Sequence, residues 1–303
     1  MKNIEVTVIG SLNFDIIMKQ QRLPRIGETY TADSVTTSPG GKGANQAVQA
    51  SKLGLNTYML GMVGQDVFAD SLMDALKEYN VNHQYVRQVN NMTGMGVVNS
   101  LPNGELVATI SPGANYDIDQ SFIDQHIDLI KRSKVIILQL EIPVEVVAYI
   151  IEIANQHDCY IILNAAPSLP LPRETMKLID CLVVNEEEAS FYSNHEVTNV
   201  EQAISSCKKL YSQTGGLIVV TVGSKGSIIF DGKEIRTFEP HPTQVVETTG
   251  AGDSYVGAIA YGIINSYSIE ELGIFASKVS AITIQNIGAQ NSMPYLDQVM
   301  GIS

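Results

Sequence analysis

Residues Glu247-Thr248-Thr249-Gly250-Ala251-Gly252-Asp253 lie directly ahead of an apolar helical run, Tyr255 to Ile264. Small side chains leave the backbone uncovered where that helix must begin. Gly250 and Gly252 tolerate turn geometry and let an anion approach closely. The first N–H groups of a helix lack internal partners and sit at the positive end of its dipole. Such an end suits phosphate. Asp253 adds a carboxylate beside that pocket, which a simple anion holder does not need. A carboxylate fits if it takes a proton from a hydroxyl while the amides stabilise a phosphoryl group in transfer. An ordinary glycine-rich turn, with Asp253 in the first helical turn, uses the same residues, and this segment alone does not separate the two.

A second glycine-rich stretch, Pro39-Gly40-Gly41-Lys42-Gly43-Ala44-Asn45-Gln46-Ala47, runs into a helix at Val48 to Leu53, with Gly54 as its stop. Lys42 and Asn45 fall in the first helical turns near one face. It is no Walker A loop, because Lys42 is followed by Gly43 and the earlier spacing is wrong. Upstream, Ser11-Leu12-Asn13-Phe14-Asp15 follows a short β-branched run ending at Gly10. In an extended chain Asn13 and Asp15 point the same way. That places them beyond the C-terminal end of a strand, where open α/β sheets bind ligands. Turn chemistry accounts for Asn and Asp here equally well. Glu141 follows the apolar run Val135 to Leu140, and an ordinary surface carboxylate ahead of Pro143 is its plain alternative. Glu186, Glu187 and Glu188 describe a solvated helix start favoured by the dipole.

The elements that must position these residues alternate. Ile4 to Gly10, Asn56 to Val63, Val135 to Leu140, Tyr160 to Leu163, Cys181 to Val184 and Leu217 to Val222 read as buried strands. Between and after them, helices are predicted over Asp66 to Tyr79, Pro143 to Gln156, Glu186 to Tyr192, Val200 to Ser212, and about 251–266 and 270–286. This pattern predicts a mainly parallel sheet covered by helices on both faces. Thr29 to Thr37 reads as a partly exposed strand, and Leu101-Pro102-Asn103-Gly104 joins Met95–Ser100 to Glu105–Ile110 as a hairpin. With residues 14–20 these form a small projecting sheet, a lid or a subunit contact. Gly226–Phe230 and Glu234–Phe238 make a second hairpin around Asp231-Gly232.

Composition narrows the class. A chain of 303 residues with 45% hydrophobic and 17% charged residues can build a substantial core. Its net charge of −13, without a basic stripe, argues against nucleic-acid binding. A polyanionic nucleotide must therefore be met locally by amides, a few cations and metal. No apolar run is long enough to cross a bilayer and no signal peptide is read ahead of Lys2, so a cytoplasmic protein is expected. Cys159, Cys181 and Cys207 lack metal or redox spacing and read as buried thiols. The histidines show no ligand spacing, and no Gly-x-Ser-x-Gly elbow, zinc motif or Gly-x-Gly-x-x-Gly dinucleotide loop is present.

Gly40 through Ala47 and Thr248 through Asp253 resemble the paired signatures of the ribokinase (PfkB) family of sugar kinases. Leu163-Asn164-Ala165-Ala166-Pro167, Val184-Asn185-Glu186-Glu187-Glu188 and Thr221-Val222-Gly223-Ser224-Lys225-Gly226 resemble further family landmarks, so the likeness runs nearly the whole chain. Lys42 in its glycine frame separates it from related fructokinases and adenosine kinases, which usually place another residue there. The resemblance implies one domain over 1–303, a ribokinase-like three-layer α/β sandwich, with a lid sheet from about 13–38 and 94–112. It also implies ATP-dependent phosphorylation of D-ribose at the 5-hydroxyl. Deoxyribose, another small sugar or a nucleoside is the alternative within the family. A non-catalytic sugar-binding protein fits Asp253 and an intact Gly-Ala-Gly turn less well.

By the same resemblance Asp253 is the catalytic base, and Gly250, Ala251 and Gly252 form the anion hole. Asn13, Asp15, Gly41, Lys42, Asn45 and Glu141 are matched to sugar contacts, together with Asp253. Asn185, Thr221, Gly223, Ser224, Gly226, Gly252 and Ser277 are matched to the nucleotide. Glu188, three residues after Asn185, is linked to magnesium, which would sit mainly on ATP and water. A monovalent cation, potassium, is expected at Glu247, Thr249, Thr283, Asn286, Gly288 and Ser292. The family commonly carries Asp where this chain has Glu247, and the extra methylene predicts weaker potassium activation. The small sheet would leave an apolar face bare, which predicts a homodimer with lids packed together.

Overall fold

Strand β1 (Ile4–Ile9) has parallel neighbours on both sides, and all its residues but the half-buried Glu5 are buried. A computed structural model describes residues 2–102 and 106–301. The strands that follow are β2 (Asn13–Lys19), β3 (Ser34–Gly40), β4 (Thr57–Val63), β5 (Asn82–Gln88), β6 (Gly94–Ser100) and β7 (Leu106–Ser111). Then come β8 (Ser133–Leu138), β9 (Tyr160–Asn164), β10 (Cys181–Val184), β11 (Leu217–Thr221), β12 (Ser227–Phe230) and β13 (Ile235–Phe238). The helices begin with α1 (Lys42–Lys52), α2 (Val67–Glu78), α3 (Gln120–Asp124), α4 (Ile127–Arg132), α5 (Val144–Gln156) and α6 (Arg173–Met176). They end with α7 (Glu186–Ser193), α8 (Val200–Thr214), α9 (Ala251–Ile264), α10 (Ile269–Thr283) and α11 (Leu296–Met300).

Nine strands form one sheet in the order β13-β12-β11-β10-β9-β8-β1-β4-β5. All pairs from β5 to β11 are parallel, and β12 and β13 close one edge antiparallel. Two cores result, one per face. Along β8, Val135 and Ile137 enter the core shared with α1, α2, α9 and α10, whereas Ile136 and Leu138 enter the core shared with α5, α7 and α8. Burial on both faces explains why these strands read as continuous apolar runs rather than alternating ones. This is the expected α/β sandwich.

The second sheet has the order β3-β2-β6-β7, with β2 parallel to β6 and the outer pairs antiparallel. Three details differ from the sequence reading. The strand expected at Thr29–Thr37 instead spans Ser34–Gly40, because register across β2 pairs Asp15 with Ser38 and Asn13 with Gly40. The Pro-Gly end of that segment is therefore strand. Helix α1 starts at Lys42, six residues before Val48, since Gly43 is helical and Gly41 is its N-cap. Strand β5 and the short helices α3, α4, α6 and α11 were missed; β5, at the sheet edge, carries polar residues that hide its period. Asn103, Gly104 and Glu105 of the expected hairpin lie outside the described residues.

The glycines at the start of α1 are demanded by packing. Gly41 takes φ +87°, and a Cβ there would stand 2.6 Å from the Asn13 amide. A Cβ on Gly43 would stand 2.6 Å from the Ser11 amide. Helix α1 thus begins pressed onto the β1–β2 connection, which carries Lys42, Asn45 and Gln46 toward the C-terminal ends of the strands.

Candidate active site

The parallel strands β1, β8, β9, β10 and β11 all end on one edge of the sheet, the edge where open α/β sheets bind ligands. A cleft of about 150 Å³ opens there, lined by Lys42, Asn164, Asn185, Glu188, Thr221, Gly252 and Asp253 among others. One wall is the start of α9. Gly250 adopts φ +79° and no side chain caps the helix. The Ala251 N–H reaches the Thr248 carbonyl at 3.2 Å, but among the described residues those of Gly252 and Asp253 meet no acceptor. A Cβ on Gly252 would touch nothing within 4 Å. These are uncovered donors at the positive end of a 14-residue helix, facing the cleft.

Asp253 is 9% exposed. Its Oδ2 accepts from Asn45 Nδ2 and its Oδ1 from Gln46 Nε2, each at 2.9 Å. Gln46 also donates to Asn164 Oδ1 at 3.1 Å. Glu141 is equally buried, and its Oε2 accepts from Ser11 Oγ at 2.6 Å, the Lys42 amide at 3.3 Å and Asn13 Nδ2 at 3.4 Å. None of these bonds uses Oε1. Asn13 Oδ1 accepts in turn from Asn115 Nδ2 at 2.8 Å. Asp15 lies between glycines: a Cβ on Gly40 or Gly96 would collide with its carboxylate oxygens. Asn13, Asp15, Gly41, Lys42, Asn45, Glu141 and Asp253 therefore form one polar group, which reaches the cleft through Lys42 and Asp253.

Charge there is unbalanced. Burial works against the Lys42 ammonium, but Asp253, Glu141, Glu188 and Asp15 outweigh it and raise its pKa. Burial, then repulsion from Glu141 and Asp253, pushes the Asp15 carboxyl up to about 7 despite Lys42. Burial also lifts Glu188 to about 7, against the opposing Asn185 amide and Lys42. Glu188 closes a capping box with Asn185 at the start of α7, whereas Glu186 and Glu187 take no part in it. Met62 is part of the core, and the Phe14 ring lies 4.7 Å from the Phe68 ring.

On the far side of the cleft, Thr221 ends β11 and Gly223, Ser224 and Gly226 form the turn beyond it, with Gly223 and Ser224 exposed. Ser277 is half-buried on α10 and shares a hydrogen bond with the Tyr255 phenol. The segments proposed for a monovalent cation do meet. Glu247 accepts from Thr249 Oγ1 at 2.5 Å and from the Gly288 amide at 3.1 Å. Ser292 Oγ donates to the Gly288 and Ala289 carbonyls. Thr283 is fully buried with its hydroxyl on the Val279 carbonyl, and Asn286 is exposed. No cluster of three or more His, Cys, Asp or Glu able to hold a metal occurs among the described residues.

Sequence reasoning did not single out Ser11, Asn115, Gln46, Gln139 or Gln290, all of which are buried beneath this group. The available signal was a polar residue breaking an apolar run, as Gln139 does between Leu138 and Leu140.

Residues 3–296 match the family model of the pfkB family carbohydrate kinases. A ribokinase of Lactococcus lactis is 34% identical over 97% of this chain and 95% of its own length. A deoxyribokinase of Salmonella typhi is 31% identical over 97% of both. The structure of Arabidopsis thaliana ribokinase complexed with ribose and ATP superposes with a TM-score of 0.91 at 32% identity, covering 99% of each chain. The chain belongs to the pfkB family of carbohydrate kinases, enzymes that move a phosphoryl group from ATP to a sugar.

The raised Asp15 carboxyl has a stability consequence. Between its ordinary value of 3.8 and about 7, the folded chain keeps a proton that the unfolded chain has lost. Stability of the ligand-free protein therefore falls as pH rises through that window. Asp15→Asn removes the penalty: its urea midpoint exceeds wild type at pH 8, and the gap shrinks toward pH 4. Equal midpoints at pH 8 contradict this.

Proposed function

We propose that this chain phosphorylates D-ribose at its 5-hydroxyl with ATP, giving D-ribose 5-phosphate and ADP. The observation that carries the reading is the pairing of uncovered α9 amides with the Asp253 carboxylate at one end of the cleft. The ribokinase relatives supply the sugar. The deoxyribokinase relative makes 2-deoxyribose the second reading.

In this mechanism the sugar occupies the polar group of Asn13, Asp15, Gly41, Lys42, Asn45 and Glu141. Carboxylates accept from its hydroxyls, while Lys42 and the asparagine amides donate to them. Asp253 takes the proton of the primary hydroxyl as that oxygen attacks the γ-phosphorus and the bond to ADP breaks. Phosphoryl transfer passes through a loose transition state, so positioning and charge stabilisation outweigh the strength of the base. Within the expected Gly250-Ala251-Gly252 anion hole the uncovered Gly252 amide, with that of Asp253 beside it, stabilises the transferring oxygens, the Ala251 N–H being taken by the Thr248 carbonyl, and Lys42 adds positive charge. Asn185, Thr221, Gly223, Ser224 and Gly226 border the nucleotide, with Ser277 beyond them.

Magnesium fits this donor set as an ion delivered with the ATP phosphates, because Glu188 and Asn185 present oxygens without forming a cage. Bound there, it neutralises phosphate charge. Glu247, Thr249, Gly288 and Ser292 form an oxygen-bearing junction that would hold potassium, whose positive charge would favour the anion bound at the start of α9. The four-stranded sheet acts as the lid. By strand alternation Ile17, Val98, Ala108 and Ile110 share the face that carries Asp15, and Ile110 is 47% exposed. A homodimer with lids packed together covers that surface. No helix among the described residues is long and apolar enough to cross a membrane, and a cytoplasmic location accords with three free thiols.

A coupled assay across ribose, deoxyribose, fructose and adenosine tests the reading. Ribose gives the highest kcat/KM, and exchanging potassium for an organic cation lowers the rate. Asp253→Asn lowers kcat by about 10²–10⁴-fold. Gly252→Ala stays folded, since its Cβ meets open space, yet loses activity. Fructose or adenosine as the best substrate, or an active Asp253→Asn, contradicts the assignment. Light scattering at micromolar concentration gives a dimer mass, and a monomer contradicts the lid contact.

A further inference from the structure

Two chains of amides converge on the Asp253 carboxylate from inside the protein. Behind Gln46, which holds Oδ1, Gln139 Nε2 donates to Gln46 Oε1 at 2.6 Å. Behind Asn45, which holds Oδ2, Gln290 Nε2 donates to Asn45 Oδ1 at 3.1 Å. Gln46 and Gln139 are fully buried, and Asn45 and Gln290 nearly so. None of the three glutamines lines the cleft.

The chemistry of the carboxylate dictates which way every amide points. An ionised Asp253 only accepts, so each inner amide must turn its NH2 inward and its oxygen outward. Each inner oxygen then needs a donor, which the NH2 of the outer glutamine supplies. Flipping any one amide sets oxygen against oxygen. The outer glutamines bear the consequence: Gln139 Oε1 and Gln290 Oε1 are buried without a partner. Folding disfavours such atoms. An apolar side chain at either place avoids that penalty but supplies no direction to the next amide. The backbone makes room for the arrangement as well, because a Cβ on Gly10 would overlap Gln139 Oε1.

We infer that Gln46 backed by Gln139, with Gln290 as the matching support behind Asn45, are positioning residues that aim the Asp253 carboxylate plane at the acceptor hydroxyl. The terminal torsion of an aspartate is broad, so its own rotamer preference does not set that plane. Asn45 also belongs to the proposed sugar site, so its variants change sugar binding as well. The Gln139–Gln46 arm holds Oδ1 and is not among the proposed sugar contacts. The inference rests on the reading of Asp253 as the base.

The test uses the full chain with ATP and whichever sugar the wild type phosphorylates, comparing Gln46→Met, Gln139→Met and the double variant, with thermal unfolding to verify folding. Gln46→Met lowers kcat by roughly 10²-fold, the loss expected from a misplaced reacting group, and leaves both KM values within about two-fold. Gln139→Met lowers kcat about ten-fold with the same KM pattern. The double variant matches Gln46→Met, because Gln139 acts only through Gln46. Unchanged kcat, raised KM at constant kcat, or multiplying effects overturn the inference. Should Gln46→Met not fold, Gln139→Met decides alone by the same split of kcat from KM. A wild type that phosphorylates no sugar overturns the functional reading and this inference with it, whereas active variants of an active wild type overturn the inference only.

Discussion

The hydrogen bonds from Asn45 and Gln46 to Asp253 cross between two helices that are about 200 residues apart in the chain, α1 and α9. They exist because these helices pack unusually close. Gly257 lies against Gln49, and a Cβ there would stand 2.6 Å from the glutamine side chain. Farther along α1, the Lys52 ammonium donates to the Gln290 and Met293 carbonyls. One helix therefore grips the base, the loop behind it and, through Gly43 on Ser11, the end of the first strand. Lose that contact and the two glycine-rich segments no longer describe one site.

The same convergence gathers carboxylates. Asp15, Glu141, Glu188 and Asp253 surround the single Lys42 ammonium, and burial penalises the charges that remain. Asp15 and Glu188 respond by holding protons to about pH 7. Such a pocket is strained until something else satisfies it. In the proposed complex, sugar hydroxyls would meet the acceptors at one end, and a cation arriving with phosphate would meet Glu188 at the other. The uncovered amides of α9 lie between, where negative charge is welcome. The arrangement thus separates an acid-rich sugar end from an anion-accepting centre within one small cleft.

Much of this was legible from residue types. The uncapped start of α9 was visible in Gly250-Ala251-Gly252, and the parallel sheet in apolar strands such as β10 and β11. Asn13, Asp15 and Glu141 stood out by following buried strands, but their residue types left plain alternatives open and only the family resemblance matched them to a sugar. The amide chains were not legible, since Gln46, Gln139 and Gln290 acquire their roles only when distant segments meet. The polar edge strand β5 carried no clear period. The displacement of β3 toward Gly40 came from pairing with β2, a long-range constraint that overrode local β propensity. Glu247 was read as a cation ligand; the structure adds that its carboxylate ties Thr249 to Gly288.

The most direct measurement is a crystal structure of this chain with ribose, magnesium and a non-hydrolysable ATP analogue. The account predicts an Asp253 oxygen at about 3 Å from the 5-hydroxyl, with γ-phosphate oxygens on the Gly252 amide. A sugar bound away from Asp253, or a γ-phosphate that leaves the α9 amides untouched, would contradict it.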